Sequence, residues 1–220
     1  MNIECLMRLR IHFNKTEAMR FTSHLDLHRT WERTIRRSGL PLAYTQGYRP
    51  HPRINLGSAL PLGFTSQDEV VDIWLEADSP IEDIESALCR AAPPGISIQG
   101  IEAVDGRFPA LQSVLGAAEY EITLLEPLAD LYNRVEHILE AGSLPRQRRG
   151  KDYDLRSLIY HISFLPDDSD GNQRLLLLLS ARENATGRPE EVIAALGGDP
   201  AAARVHRTRL VYQSEIHQLG

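Results

Sequence analysis

Cysteine is scarce in this chain, and its scarcity excludes several classes of protein. The 220 residues include two cysteines, Cys5 and Cys89. They form no Cys-x-x-Cys pair and no cluster of three that could hold an iron–sulfur centre. Phosphate-binding-loop, Gly-x-Ser-x-Gly and dinucleotide-binding motifs are also missing. We therefore expect no cofactor. The sequence leaves an enzymatic activity open but favours none.

Long apolar runs are absent as well. No stretch approaches the length of about 18 residues that a membrane-spanning helix needs, and no signal peptide is recognisable. These observations predict a cytoplasmic protein without a membrane partner. His24 and His28 stand four residues apart, a spacing that can hold a metal on one helix face. Because no third ligand is evident, we predict no metal site and favour packed or hydrogen-bonded histidines.

Charge is distributed unevenly, although the net charge is only −6. Residues 1–53 contain ten Lys or Arg and four Asp or Glu. Residues 54–145 contain three Lys or Arg and sixteen Asp or Glu. Such asymmetry predicts one surface for an anion and another that faces solvent or a basic partner.

The basic first segment begins with a strand and a helix. Alternation between Met7 and Phe13 predicts a half-buried strand whose polar face carries Arg8, Arg10 and His12. A helix is predicted from Ser23, which forms a capping-box-like pattern with the acidic residue three positions later. One face of this helix is basic and carries Arg29, Arg33, Arg36 and Arg37.

The stretch 41–63 is rich in Pro and Gly, which shape the backbone at many points. Prolines separate Arg49, His51 and Arg53, and a residue before proline is driven into an extended conformation. Alternate side chains of an extended segment point the same way. We therefore predict that these three groups converge with the polar face of the first strand on one basic surface. An ordered loop with solvated charges is the alternative.

The two halves of the chain repeat one order of elements. In the first half the patterns predict further strands at 69–75 and 96–104 and a helix at 80–92. In the second half they predict strands at 120–124, 158–165, 174–181 and 203–213, and helices at 128–141 and 189–196. The run Leu175–Leu179 fits a strand buried on both faces, with a buried helix as the alternative.

This order is strand–helix–strand–strand–helix–strand, which is typical of the ferredoxin-like unit. We predict an α+β protein with two tandem ferredoxin-like halves and antiparallel sheets. The predicted domains are residues 1–106 and 117–220. Residues 105–116 are interpreted as a linker, with packing of Phe108, Leu111 and Val114 as the alternative.

A second basic segment lies at residues 146–156. It contains five cations: Arg146, Arg148, Arg149, Lys151 and Arg156. Cations clustered in this way suit a polyanion, and a solvated charged loop is the alternative. The candidate nucleic-acid-binding residues are therefore Arg8, Arg10, His12, Arg29, Arg33, Arg49, His51, Arg53, Arg146, Arg148, Arg149 and Lys151.

Two blocks of the sequence resemble a known family. Residues 8–76, which begin RLRIHFNKTEAMRFTSHLDLHRTWERTIRRSG, and residues 146–159, RQRRGKDYDLRSLI, are similar to the radical SAM-associated (radical SAM-linked) bacterial protein family, a domain of unknown function. Such domains are often fused to a radical SAM enzyme or encoded beside one. Since this chain lacks the three-cysteine cluster motif, the resemblance implies an accessory protein with the radical chemistry elsewhere. The motif Gly-Tyr-Arg-Pro-His-Pro at 47–52 also resembles, at the level of the fold, RNA-binding proteins of CRISPR systems.

Three hypotheses about function follow. The first is a non-catalytic RNA-binding or docking module that serves a radical SAM enzyme, with the acidic middle segment facing solvent or the partner. The second is a metal-independent enzyme that cleaves or modifies RNA. In it His12, His24 or His51 would act as general acid or base, and Arg49 or Arg53 would stabilise phosphate charge. The third is a pure protein–protein partner of the radical SAM enzyme without RNA.

Overall fold

The computed structural model describes residues 6–148 and 150–216. The chain divides into two compact units, Met1–Val114 and Leu115–Gly220. Both units combine helices with antiparallel strands, which confirms the predicted α+β class.

The described residues of the first unit, 6–114, form four strands and three α-helices. In chain order they are β1 (Met7–Lys15), α1 (His24–Ser38), β2 (Ile54–Leu56), β3 (Thr65–Leu75), α2 (Ile81–Ala91), β4 (Ile96–Val104) and α3 (Leu111–Val114). The strands lie in the order β2-β3-β1-β4, and each neighbouring pair is antiparallel. β1 is therefore an inner strand, with β3 on one side and β4 on the other.

The core of this unit lies between the sheet and the helices α1 and α2. Leu27, Trp31 and Ile35 recur at every fourth position of α1, as the periodicity predicts, and are at most 2% exposed. The helix begins where expected, because the Ser23 hydroxyl accepts a 3.2 Å hydrogen bond from the Asp26 N–H. α1 ends at Gly39, whose φ of 75° is the left-handed conformation that closes many helices.

The second unit repeats this order with an additional hairpin. Its elements are β5 (Leu115–Leu124), α4 (Leu131–Glu140), β6 (Pro145–Arg148), β7 (Lys151–Asp154), β8 (Ile159–Leu165), β9 (Arg174–Arg182), β10 (Ala185–Thr186), α5 (Pro189–Ala195), β11 (Ala203–Tyr212) and α6 (Gln213–Ile216). β5 lies between β11 and β9, and both β8 and β10 pair with β9. β6 and β7 form a separate two-stranded hairpin.

The run Leu175–Leu179 is a strand, within β9, and the helical alternative is wrong. Three of its leucines, at positions 175, 177 and 179, are fully buried. The strand orders β2-β3-β1-β4 and β8-β9-β5-β11 give the two units the same arrangement of equivalent strands. The finer assignment of each half to the ferredoxin-like fold, with the domain limits 1–106 and 117–220, stays a prediction.

The expected linker at 105–116 is wrong in its second part. Residues Leu111–Val114 form α3, and β5 begins at Leu115, five positions before the predicted start of that strand. Leu111 and Leu115 are at most 1% exposed, so this segment is fixed by burial although its composition is typical of a loop. No helix in the described part of the chain has the length and apolar character needed to cross a bilayer.

Candidate nucleic-acid interface

A hairpin connects α1 to β3 through the Pro- and Gly-rich stretch. We call residues 42–54 the first hairpin. Its two arms are joined by a 2.8 Å bond from Thr45 N–H to the His51 carbonyl and a 2.9 Å bond from Arg53 N–H to the Ala43 carbonyl. Both arms attach to β3, because the Trp74 carbonyl accepts from Ala43 N–H and the Trp74 N–H donates to the Arg53 carbonyl. The base of the hairpin is therefore pinned to the sheet.

The far end of the first hairpin is exposed from residue 44 to residue 51. Tyr48 is 99% exposed and stands at the tip beside Arg49. Arg49 and His51 both lie in this exposed segment, whereas Arg53 is half-buried with its guanidinium carbon 5.0 Å from the centre of the Trp74 ring. Of the three groups predicted to point the same way, Arg49 and His51 are both exposed, whereas Arg53 is part of the hairpin base.

The basic face of α1 is exposed, as predicted. It consists of Arg29, Arg33, Arg36 and Arg37, all of them exposed, and Arg37 also donates a 2.8 Å hydrogen bond to the Ala91 carbonyl. Arg29 and Arg36 pair with acids of the same helix, whereas Arg33 has no ion pair within the described residues. A hydrogen bond with Tyr44 is the main cause that raises the pKa of Arg36 above its usual value. That bond joins the helix to the first hairpin.

The polar face predicted for β1 is not a surface. Arg8 and Arg10 are 3% and 4% exposed, and both pair with Asp72 of β3, which is fully buried. The shortest nitrogen–oxygen distances are 2.6 Å for Arg8 and 2.9 Å for Arg10. We call these three residues the Asp72 cluster. The expectation that Arg8 and Arg10 present their charge to an anion at the surface is wrong, because β1 is central and is covered on both faces.

The Asp72 cluster also contacts the base of the first hairpin. The guanidinium carbon of Arg8 lies 5.1 Å from the centre of the Trp74 ring, the same ring that Arg53 approaches. Cations near an indole ring are attracted by its quadrupole. Trp74 therefore connects buried charge to the part of the hairpin that carries the exposed tip.

Two of the histidines proposed for catalysis, His12 and His51, lie at separate positions along β3. His12 lies beside Val70 of β3, with its Nδ1 3.4 Å from a carboxylate oxygen of Asp68. His51 lies in the first hairpin, which pairs near the Leu75 end of the same strand. Five residues of strand separate those two positions, roughly 17 Å. His24 is the first residue of α1.

The second basic segment forms the hairpin of β6 and β7, residues 145–154, which we call the second hairpin. Arg146 lies opposite Tyr153, and Arg148 opposite Lys151, so these four share one face. Burial and a hydrogen bond to Glu191 raise the pKa of Tyr153 to about 12. Arg149 lies outside the described residues.

No group of three His, Cys, Asp or Glu side chains in the described ranges could hold a metal ion. His24 and His28 keep the helical spacing noted in the sequence, on the first two turns of α1.

Two functionally informative residues were missed by sequence reasoning. Tyr48 carries no charge, and its signal was its place next to Gly47 in an otherwise polar tip. Asp72 interrupts the apolar run of β3, where a buried carboxylate needs cationic partners. That requirement could have indicated that Arg8 and Arg10, on the neighbouring strand, are buried with it.

Comparisons with known proteins give one family and weak structural likenesses. The family profile described as "Uncharacterized protein conserved in bacteria (DUF2344)" matches residues 8–189. No curated protein matches the chain.

Among solved structures, a chain of a Cbf5-Nop10-Gar1 complex is similar at 12% identity and a TM-score of 0.48, over 92% of this chain and 48% of that one. A chain of the archaeal box H/ACA sRNP Nop10-Cbf5 complex is similar at 13% identity and a TM-score of 0.43, over 92% and 47%. The chain therefore spans about half the length of these matched chains. Likenesses at this level carry no argument about function.

Proposed function

The chain belongs to the DUF2344 family of conserved bacterial proteins, and we propose that it is an RNA-binding accessory protein that serves a radical SAM enzyme. The observation that carries the RNA part is the exposed surface formed by the first hairpin and the basic face of α1. Arg36 of α1 and Tyr44 of the first hairpin lie close enough to interact electrostatically, so the two elements are neighbours. The proposed surface therefore presents cations and an aromatic ring from one connected support.

Two cations of this surface are available for phosphate. Arg33 on α1 and Arg49 at the hairpin tip are exposed, and neither forms an ion pair with a described residue. A guanidinium without an acidic neighbour can bind a phosphate without first breaking an internal pair. The net charge of −6 argues against general affinity for polyanions, so binding would depend on this local surface.

Arg8 and Arg10 are no longer among the proposed contacts, because a buried and paired guanidinium cannot reach a phosphate at the surface. The proposed contacts of the first unit are Arg29, Arg33, Arg49 and His51. Arg53 positions the hairpin base through Trp74. In the second unit the exposed Lys151 and the half-buried Arg148 form a further proposed contact.

The partner proposal rests on the two sequence blocks that resemble the radical SAM-associated family. The chain contains no three-cysteine cluster motif of its own. An accessory role assigns the radical chemistry to a separate or fused enzyme, and RNA binding would bring a substrate to it.

Fluorescence anisotropy with a labelled single-stranded RNA of about 12 nucleotides tests the RNA part. We expect the variant Arg33→Ala with Arg49→Ala to bind more weakly than the wild type. Its logarithmic salt slope, measured from about 50 to 200 mM salt, should be shallower by about 0.7 for each phosphate that the two guanidinium groups neutralise in the wild type. Arg148→Ala with Lys151→Ala tests the second hairpin by the same readout.

The matched control is Arg90→Ala with Arg182→Ala, which removes the same charge from exposed positions outside both hairpins and α1. It should bind like the wild type. Wild-type protein without affinity at the lowest salt, or a double variant with unchanged affinity and slope, would overturn RNA binding at this surface.

Purification of the tagged chain from its host, with bound proteins and RNA identified, tests the partner. We expect a radical SAM enzyme in an amount comparable to that of the bait. A preparation that retains RNA but holds no radical SAM enzyme would overturn the accessory role and leave RNA binding in place.

A further inference from the structure

We infer that Tyr48 is a stacking platform for an unpaired base, so that the first hairpin takes single-stranded rather than duplex RNA. This inference rests on the proposed RNA-binding function and specifies its ligand. It begins with the exposure of the ring, which at 99% is the highest of the large apolar side chains in the described residues.

Four of the other six tyrosines show what an ordinary structural role looks like. The hydroxyl of Tyr132 donates to Glu136 and its ring stacks on Phe164, while Tyr120 is 4% exposed. Tyr44 bonds to Arg36, and Tyr153 to Glu191. Tyr48 has no comparable contact within the described residues, so packing within the first unit does not explain its position.

The backbone that carries Tyr48 has little conformational freedom. The tip begins at Gly47, whose φ of 139° lies in a region that L side chains rarely adopt, and Pro50 fixes the backbone beyond Arg49. The arms below are held by hydrogen bonds to each other and to β3. An aromatic ring on such an arm loses little conformational freedom when a ligand stacks on it, because the arm is already ordered.

The chemistry around the ring selects the kind of nucleic acid. Arg49 follows Tyr48 directly, so a cation for the backbone stands next to a platform for a base. A ring flanked by backbone-binding cations is the arrangement by which proteins hold single strands. In an A-form duplex the bases are already stacked and the major groove is deep and narrow, so a tyrosine at a hairpin tip finds no free base face.

Anisotropy measurements with three probes test this inference. The probes are a single-stranded RNA of about 12 nucleotides, the same strand in a duplex, and a strand of equal length with abasic positions. Tyr48→Ala should weaken binding to the single strand by about 5- to 150-fold, the range that corresponds to one stacked base. Tyr48→Phe keeps the ring and should keep most of the affinity.

The salt slope separates stacking from phosphate contact. Tyr48→Ala should leave the slope unchanged, because it removes no cation, whereas Arg49→Ala should make it shallower. On the abasic strand, the wild type and Tyr48→Ala should bind equally. Equal thermal melting of the two proteins verifies that the exposed substitution has not altered the fold.

Failure of this inference is distinct from failure of RNA binding. If the wild type binds none of the probes, the proposed function fails with it. If the wild type binds RNA but Tyr48→Ala binds the single strand equally well, or the duplex binds as tightly as the single strand, the stacking role alone is wrong. Loss of a bound protein partner with Tyr48→Ala, at unchanged RNA affinity, would likewise overturn it and assign the ring to a protein contact.

Discussion

The two units carry a basic hairpin at the same point of their element order, but they place its tyrosine differently. The first hairpin follows α1 and the second follows α4, and each leads towards the equivalent edge strand of its sheet, β2 or β8. Tyr48 projects from the first with 99% exposure. Tyr153 of the second is half-buried and bonded to Glu191. Both hairpins thus leave the fold at the equivalent point, but the tyrosine is exposed in the first and half-buried in the second.

The hairpins also differ in how they are held. Trp74 links the base of the first hairpin to the buried Asp72 cluster. The base of the second is held by the Asp154 carboxylate, which accepts from the backbone N–H groups of Leu144 at 2.7 Å and Arg156 at 3.0 Å. These bonds lower the pKa of Asp154, with the Leu144 bond as the largest cause. We therefore expect the first hairpin to depend on buried charge and the second on hydrogen bonds near the surface.

The largest effect should come from breaking the buried anchor of the first hairpin. Asp72→Asn keeps the size of the side chain but leaves Arg8 and Arg10 buried without their carboxylate. Removing one partner of a buried ion pair typically costs about 3–5 kcal/mol, because the remaining charge is uncompensated. Urea unfolding of the full chain, followed by circular dichroism, should give a clearly lower midpoint.

Asp105→Asn is the control for that experiment. Asp105 pairs with Arg107, whose side chain is 92% exposed, so this pair is well solvated and its loss should barely move the midpoint. Equal midpoints for Asp72→Asn and Asp105→Asn would show that the Asp72 cluster does not stabilise the first unit. The proposed contrast between the two anchors would then fail.

Much of the fold could be predicted because hydrophobic period and capping act locally. The stripe of Leu27, Trp31 and Ile35 and the Ser23 cap define α1 without reference to the rest of the chain. The same holds for β4, whose predicted limits 96–104 are those of the structure.

The burial of Arg8 and Arg10 could not be predicted from alternation alone. The alternation of side chains assigns these residues to one face of β1, but it does not show whether solvent reaches that face. Here the answer depends on Asp72, more than 60 positions away along the chain, and on the carbonyl of Pro109, which accepts a 2.9 Å bond from Arg8. The candidate site at the 41–63 stretch stays a prediction, and which of its cations reach solvent depends on tertiary partners that the sequence pattern does not reveal.

The smallest effect on stability should come from Tyr153→Phe, which tests whether Tyr153 and Tyr48 have different roles. The variant loses the hydrogen bond to Glu191, and we expect the free energy of unfolding at neutral pH to fall by about 1 kcal/mol. Burial and that bond raise the pKa of Tyr153 to about 12 in the folded protein, against about 10 in the unfolded chain. Between these values the unfolded chain has released the proton and the folded protein has not.

The advantage of the wild type over Tyr153→Phe should therefore be complete below pH 10 and disappear as the pH rises towards about 12. Urea midpoints of both proteins across this pH range measure the difference in stability between them. The other titrating groups are the same in both proteins, so their contributions cancel. RNA affinity should stay unchanged, since the hydroxyl of Tyr153 is occupied by Glu191 and its ring is half-buried. A constant stability difference up to pH 12 would refute the buried bond. A loss of single-strand affinity matching that of Tyr48→Ala would show that the two hairpins use their tyrosines alike.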